Sequence, residues 1–208
     1  MTSNAIRSTL LGACLLAVVA ATGMNATGRV EPSLVPRSWD LQFTFQTPRP
    51  IAIKDAEGQT HWFWYLSYRA QNNSGQERFF NPEITVATDR GDIRITGEKV
   101  PASVYEAIRV KLDNPLLENP ISIVGKILLG EDHARHSVAI WPAFDHDVDV
   151  LNIFVAGMSG ETATVNDPVT GEQVVLRKTL MIDFAFPGTE VHPQRQTIER
   201  TGQRWIMR

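Results

Sequence analysis

The sequence predicts a mainly β protein, an antiparallel sandwich with one short helical insertion. Apolar and polar residues alternate with a period of two over most of the chain, which is typical of strands with one buried face. Turn-forming residues separate these stretches, and strands do not alternate regularly with helices. We therefore expect one domain over residues 38–208, with roughly eight to ten short strands.

The first predicted strands have one clear apolar face. In SWDLQFTF, residues 38–45, four large apolar side chains share a face: Trp39, Leu41, Phe43 and Phe45. PRPIAI, residues 48–53, is a weaker candidate. Its prolines favour an edge strand, because proline cannot donate a backbone hydrogen bond.

HWFWYLSYRAQ, residues 61–71, is the strongest predicted strand. Its alternation places Trp62, Trp64, Leu66 and Tyr68 on one face, and Phe63 and Tyr65 on the other. Aromatic residues on both faces indicate a central strand, or one whose second face is partly covered. A turn leads to RFFNPEITVATD, residues 78–89, as its expected partner, and a turn at residues 89–92 closes a further hairpin.

One helix interrupts the strand pattern. Ser103 and Glu106 have the spacing of a capping box, which marks a helix start. Val104 and Ile108 follow at helical spacing, and a proline ends the segment. We expect the helical insertion at about residues 101–118.

The second half of the chain continues the strand pattern. Strands are expected at residues 126–132, 135–141 and 148–157, and a hairpin turn at residues 167–171. A long strand follows over residues 173–186. Its alternating large apolar side chains are expected in the core: Leu180, Ile182, Phe184 and Phe186.

Four segments in the middle of the chain carry a resemblance to a known class: YLSYRAQNNSG, FFNPEITVATDRGD, ILLGED and HSVAIW. Together they resemble exported bacterial domains of the immunoglobulin-like class, over about residues 60–157. The resemblance implies an immunoglobulin-like sandwich. Members of the class are mostly uncharacterised binding or structural modules, so it implies fold more than function. The chain departs from the pattern at Leu129, where many such domains have proline, and the resemblance does not extend to residues 173–208.

The N-terminus has the pattern of an export signal. Residues 1–26 carry one charge, an arginine, followed by the apolar run LLGACLLAVVAA and then small residues. The run is shorter than the roughly 20 apolar residues of a spanning helix. We expect cleavage after Ala21 or Ala26, with an uncleaved anchor or lipidation at Cys14 as alternatives, and a flexible leader over residues 27–37.

The composition excludes several kinds of chemistry. Cys14 is the only cysteine, so a chain cleaved after the signal has no disulfide, cysteine zinc site or cysteine nucleophile. The formal net charge is −3, and basic residues are scattered among acidic ones. We therefore expect no nucleic acid partner. No second apolar run reaches membrane length, so no membrane insertion of the mature chain is expected.

One stretch is rich in groups that bind metals or carry protons. GEDHARHSVAIWPAFDHDVDV, residues 130–150, contains His133, His136, Asp145, Asp147 and Asp149. The histidines are three residues apart, so a strand would direct them to opposite faces. The aspartates lack the glycine and glutamate of an EF-hand loop. We expect two solvated loops without a metal; a calcium or transition-metal site built from these residues is the alternative.

No catalytic or cofactor-binding residues stand out. Ser159 lies in GMSGE, which resembles a nucleophile elbow but has glutamate in place of the final glycine, so we interpret it as a turn residue. Trp62, Trp64 and Tyr65 would bind a glycan or a partner strand if they formed an exposed platform. Their alternation instead favours packing in the core on one face, and beneath a loop or the helix on the other.

These patterns favour an exported β-sandwich that is not an enzyme and needs no cofactor. It would bind or scaffold a partner, such as an envelope protein or a glycan, in the periplasm or outside the cell. Two other functions stay open. In a small hydrolase or carbohydrate-active module, His133, His136 and the aspartates around Asp147 should converge in one cleft. A calcium-stabilised adhesion-type module should melt at a higher temperature with calcium than with a chelator.

Overall fold

The architecture is that of a computed structural model, which describes residues 30–35, 37–144, 147–187 and 198–208. Within these ranges lie twelve strands and one helix. In chain order they are β1 Gln42–Phe45, β2 Arg49–Lys54, β3 Thr60–Asn72, β4 Arg78–Phe80, β5 Glu83–Thr88, β6 Ile93–Ile95, α1 Ala102–Leu112, β7 Gly125–Ile127, β8 Gly130–Pro142, β9 Val150–Ala156, β10 Thr162–Asn166, β11 Gln173–Ala185 and β12 Glu199–Met207. The predicted export signal and the start of the leader lie outside the described residues.

The first sheet is organised around the long strand β3. β8 pairs antiparallel with β3 over most of its length, with Trp64 opposite Trp141. β1 and β2 pair antiparallel with the last and first parts of β3. β8 pairs along one edge of β3, so β1 and β2, which pair with many of the same β3 residues, both lie along the other edge of β3. In the described part of the chain β2 pairs with β3 alone, so the predicted edge position is confirmed.

The second sheet has the strand order β12-β11-β9-β5-β6, and β10 pairs with the first residues of β11. The hairpins predicted at residues 89–92 and 167–171 are confirmed as the β5–β6 and β10–β11 turns. β4 and β7 form a separate two-stranded sheet. Every pair of these strands is antiparallel, so the predicted mainly β, antiparallel class is confirmed.

The two larger sheets pack face to face across one core. β3 contributes Trp64, Leu66 and Tyr68 to it, and β11 contributes Leu180, Ile182 and Phe184. The predicted core face is confirmed: Leu180, Ile182 and Phe184 of β11, and Phe186 just after the strand ends, are each 6 % exposed or less. The predicted face of the first strand is confirmed as well: Trp39, Leu41, Phe43 and Phe45 all pack against this core. Burial of these side chains stabilises the sandwich by about 25 cal/mol for each Å² of apolar surface removed from water.

α1 covers the other face of the first sheet and forms a third layer. Its buried residues Val104 and Ile108 belong to a second apolar cluster that includes Phe63 and Tyr65 of β3. β3 therefore has a core on each of its faces. This explains the aromatic residues on both sides of the strand, and both features predicted for β3, a central position and a covered second face, are confirmed.

The predicted capping box is wrong. α1 begins at Ala102, directly after Pro101, and no side chain caps the helix. Pro101 has an extended backbone, with φ −62° and ψ 147°, and its fixed φ suits a position where no backbone N–H is needed. Ser103 therefore lies inside the first turn, whereas a capping serine has to precede it. The helix ends at Leu112, before Asp113, whose φ of 46° is left-handed.

The predicted partner of β3 is also wrong. Residues 78–89 form two strands, β4 and β5, separated at Asn81 and Pro82, and β5 pairs with β9 in the second sheet. Proline cannot continue the hydrogen-bond ladder, so the chain changes sheets there. Gly157 permits the close crossing: its φ is 81°, and a Cβ at this position would lie 2.1 Å from the Asn81 carbonyl oxygen.

β12 is a strand that was not predicted. Its sequence, ERTGQRWIM, begins with six residues that are charged, polar or glycine, so alternation is absent from most of it.

No helix in the described ranges is both long and apolar enough to cross a membrane. The immunoglobulin-like class stays a prediction.

Candidate functional site

Residues 130–150 do not form the two loops that were expected. β8 begins at Gly130, so His133 and His136 both lie within a strand. The reason is that β3 continues to Asn72 and pairs with β8 as far as Gly130, across a bulge. His133 lies in the bulge between Gly130 and Arg135 and is exposed, whereas His136 is opposite Arg69 and is half-buried.

The aspartates of this stretch lie beyond the other end of β8. Asp147 and Asp149 are in the connection to β9, where Asp147 forms an ion pair with Arg90 at 3.3 Å; Asp145 lies outside the described residues. At about 3.3 Å per strand residue, roughly 20 Å separates His136 from the end of β8. The structure therefore does not bring the histidines and the described aspartates together. Within the described ranges, no group of three or more His, Cys, Asp or Glu side chains is placed to hold a metal.

Replacing both histidines, His133→Ala together with His136→Ala, is expected to leave the melting temperature nearly unchanged. Imidazoles are common ligands of transition metals, but a stable site needs several converging ligands, and the described residues place no such group near either histidine. Elemental analysis of protein purified without chelator is the direct measurement. Zinc, copper or nickel at near one ion per chain, lost in the double variant, would contradict the expectation.

Trp62, Trp64 and Tyr65 do not form an exposed platform. Trp64 is 3 % exposed and belongs to the core between the sheets, whereas Tyr65 is 1 % exposed and lies in the cluster beneath α1. Trp62 is half-buried. The hydroxyl of Ser159 accepts a hydrogen bond from the backbone amide of Glu161 at 3.1 Å, an arrangement typical of a turn residue.

The candidate site is a cleft between the leader and β12, named here the seam cleft. It has a volume of about 530 Å³ and lies between residues 30–34 and Arg204–Ile206, with Asp40 and Lys178 in its wall. Asp40 precedes β1 of the first sheet, and Lys178 belongs to β11 of the second. The cleft therefore lies where the two sheets meet, a concave position of the kind that ligands commonly occupy.

Lys178 is a buried cation held between two carboxylates. Its side chain is 4 % exposed, and its Nζ lies 2.8 Å from Asp40 Oδ2 and 3.4 Å from Glu161 Oε2. The same Nζ lies 4.9 Å from the centroid of the Trp205 ring, within reach of a cation–π interaction. Lys178 is two residues before Leu180 on β11, so both side chains lie on the inward face of the strand. A lysine at an inward position was therefore a sign of this site in the sequence, and the alternation of apolar residues alone did not identify it.

The turn after β9 positions Glu161. The backbone carbonyl oxygen of Glu161 accepts a hydrogen bond from the backbone amide of Lys178 at 3.0 Å. The backbone amide of Gly160 donates to the Trp39 carbonyl oxygen, also at 3.0 Å. A Cβ at Gly160 would lie 2.4 Å from Trp39 Nε1, so glycine permits this approach. In the leader, Ser33 donates its backbone N–H to Glu161 Oε1 at 2.8 Å. This hydrogen bond is the main cause that lowers the pKa of Glu161; burial opposes it, and Lys178 lowers the pKa further.

The Ser33 amide is expected to report the protonation of Glu161. Because the folded-state pKa of Glu161 is lowered, the contact stabilises the fold above the ordinary glutamate pKa of about 4.3. That contribution is lost as the pH falls through the lower, folded-state value. In an NMR titration, the Ser33 amide proton should shift with a midpoint below about 4.3. Glu161→Gln should abolish the shift, and a midpoint at or above the ordinary value would contradict the hydrogen bond.

Two carboxylate oxygens of the site accept no hydrogen bond from the described residues: Asp40 Oδ1 and Glu161 Oε2. Glu161 is 8 % exposed, and its Oε2 meets Lys178 at the longer of the two ion-pair distances, 3.4 Å. Buried acceptors without a donor are costly to a folded protein. Both oxygens are also closed to solvent, so the part of this ion pair that a ligand can contact is Asp40, which lines the cleft and has a side chain 28 % exposed.

Comparison with known proteins identifies no relative. No protein-family model, no curated protein and no solved structure matches the chain.

Proposed function

We propose that the chain is an exported β-sandwich, not an enzyme, that binds a polar ligand in the seam cleft, within the cell envelope or outside the cell. The observation that carries the proposal is the buried Lys178, held by Asp40 and Glu161 beside an open cleft. Burying charges costs hydration, and a buried ion pair often stabilises a protein no more than apolar residues of similar volume. Asp40 reaches the surface of the cleft, and this contact between the ion pair and an open cleft favours a role in recognition over one in folding.

Binding is favoured over the first of the other two functions that the sequence left open. A hydrolase or carbohydrate-active site of His133, His136 and the aspartates near Asp147 would need these side chains in one cleft. The histidines lie in the first half and the middle of β8, whereas the described aspartates, Asp147 and Asp149, follow its far end. The calcium-stabilised adhesion-type module is tested by measuring the melting temperature with calcium and with chelator. A melting temperature raised by calcium and lowered by chelator would favour it, because an ion that binds only the folded state stabilises that state.

A photo-crosslinking amino acid in place of Arg204 tests the binding function. Arg204 lines the seam cleft, and its side chain is 52 % exposed. Arg109 on α1 has the same exposure, 52 %, and is the matched control position. After irradiation in cells of the native organism, we expect a discrete adduct from position 204 and none from position 109. Equal adducts from both positions, or no adduct from position 204, would contradict the proposal.

Export is tested by the N-terminus of the protein in its native cells. The arginine near the start and the short apolar run predict cleavage after Ala21 or Ala26. N-terminal sequencing of envelope or secreted material should therefore begin at Thr22 or Thr27. An intact Met1 on that material would show that the signal is not removed.

A further inference from the structure

We propose that the free edge of β12 binds an extended peptide segment as an added strand, and that a cationic side chain of this segment enters the seam cleft. The inference rests on the binding function proposed above and names its ligand class. Three features support it: the outward-facing backbone groups of β12, the position of the cleft beside them, and the charge of the cleft.

β12 presents a row of backbone groups without a strand partner. In the described part of the chain it pairs with β11 alone. Arg208 and Arg177, just beyond the end of β12, exchange two backbone hydrogen bonds of 3.1 and 2.7 Å. Because bonded and outward-facing residues alternate in an antiparallel ladder, the N–H and C=O groups of Gln203, Trp205 and Met207 point away from β11. Such an edge is a template for another strand.

The seam cleft opens along this edge. Arg204, Trp205 and Ile206 are successive residues of β12, and all three line the cleft. In strand addition, the main chain of the peptide makes the hydrogen bonds and alternate side chains occupy pockets. A peptide residue directly opposite Trp205 has its side chain on the same face of the sheet as Trp205. That face is the one on which Trp205 meets Lys178.

The charge of the cleft favours a cationic side chain. Lys178 supplies one positive charge against the two negative charges of Asp40 and Glu161, which leaves one negative charge in excess. Arg204 forms an ion pair with Asp183 and does not offset that excess. Asp40 lines the cleft, and its side chain is 28 % exposed. Its carboxylate can therefore attract the ammonium group of a lysine or the guanidinium group of an arginine.

A second copy of the chain is a less suitable occupant of this edge. β12 carries Arg200 and Arg204, Arg208 follows it, and Glu199 is its only acidic residue. Two copies of this edge would therefore carry the same net positive charge and repel each other. A partner strand of different sequence avoids this repulsion.

The probe is a fluorescent peptide of nine residues, the length of β12, that alternates valine and serine around a central lysine. Its binding to the purified protein is measured by fluorescence anisotropy. Asp40→Asn should weaken binding about tenfold or more, because the cleft loses the charged carboxylate that attracts the peptide lysine. Asp92→Asn removes a carboxylate paired with Arg94 at 3.1 Å, away from the cleft, and should leave binding unchanged. A peptide with glutamate in place of the lysine should bind more weakly.

N-methylation of the peptide distinguishes strand addition from simple charge attraction and requires no protein variant. In one set of peptides the methyl groups replace the amide hydrogens of alternate residues that face β12; in the other they replace those that face away. We expect the peptides methylated on the amides that face β12 to lose binding, and the peptides methylated on the amides that face away to bind as before. Equal effects of both sets, no binding of any peptide, or a stable homodimer joined through β12 would overturn the inference.

The two proposals fail in different ways. An adduct from position 204 to a ligand that is not a polypeptide would overturn strand addition and support the binding function. The absence of any adduct from position 204 would overturn the binding function, and strand addition with it.

Discussion

Replacing Phe184 with alanine is expected to lower the free energy of unfolding by about 3 to 5 kcal/mol. Phe184 has 0 % exposure and lies in the core between the sheets, with the Phe45 ring edge-on at a centroid distance of 6.3 Å. Truncation removes a buried aromatic ring. It also leaves a cavity, because two sheets already packed at crystal-like density relax only in part.

Chemical denaturation of the two proteins measures this difference. Val169→Ala is the control, since Val169 is 91 % exposed, and surface substitutions usually change stability by less than about 0.5 kcal/mol. A loss below about 1 kcal/mol for Phe184→Ala would show that the ring does not face the core, and that the β11 register is shifted by one residue.

Lys178→Met is expected to cost about 3 to 5 kcal/mol at neutral pH, because it leaves Asp40 and Glu161 without their shared cation. Methionine keeps most of the apolar stem of lysine, so the loss reflects charge more than volume. The effect should shrink in acid. The folded-state pKa of Glu161 is lowered, so its contribution is present above the ordinary value of about 4.3 and disappears as the pH falls through the folded-state value.

Urea unfolding of both proteins at about pH 7 and about pH 3 tests the size and the sign of this effect. A triple variant, with Asp40→Asn and Glu161→Gln added to Lys178→Met, removes all three charges. It should recover part of the loss, because no buried charge is left without a partner. Equal stability of Lys178→Met and the unmodified protein at neutral pH would contradict the buried ion pair.

Alternation in the sequence was sufficient to predict the strands that form the main core. Leu180, Ile182 and Phe184 lie on one face, because side chains at every second position of a strand share a face. Aromatic residues on both sides of β3 indicated a second covered face, and α1 covers it through Val104 and Ile108. These features could be predicted because the face on which a side chain lies depends only on its position within its own strand.

Strand pairing and the site depend on contacts between distant parts of the chain. Pro82 marks a break before β5, but no residue near β5 indicates that its partner is β9. The seam cleft combines the leader, Asp40, Lys178 and β12, four separate parts of the sequence. A lysine at an inward position of β11 was a local sign of the site, but Glu161 becomes its neighbour only through the turn after β9.

Folding of the protein is expected to depend on the long sequence separation between β3 and its partner β8. β8 is separated from β3 by residues 73–129, so their pairing has to close a long loop. α1 lies within that loop and packs on the face that β3 and β8 form together. A helix of 11 residues is only marginally stable alone in water. Helical structure should therefore develop together with the β3–β8 pairing, at the slow rates, milliseconds to seconds, of proteins dominated by non-local strand contacts.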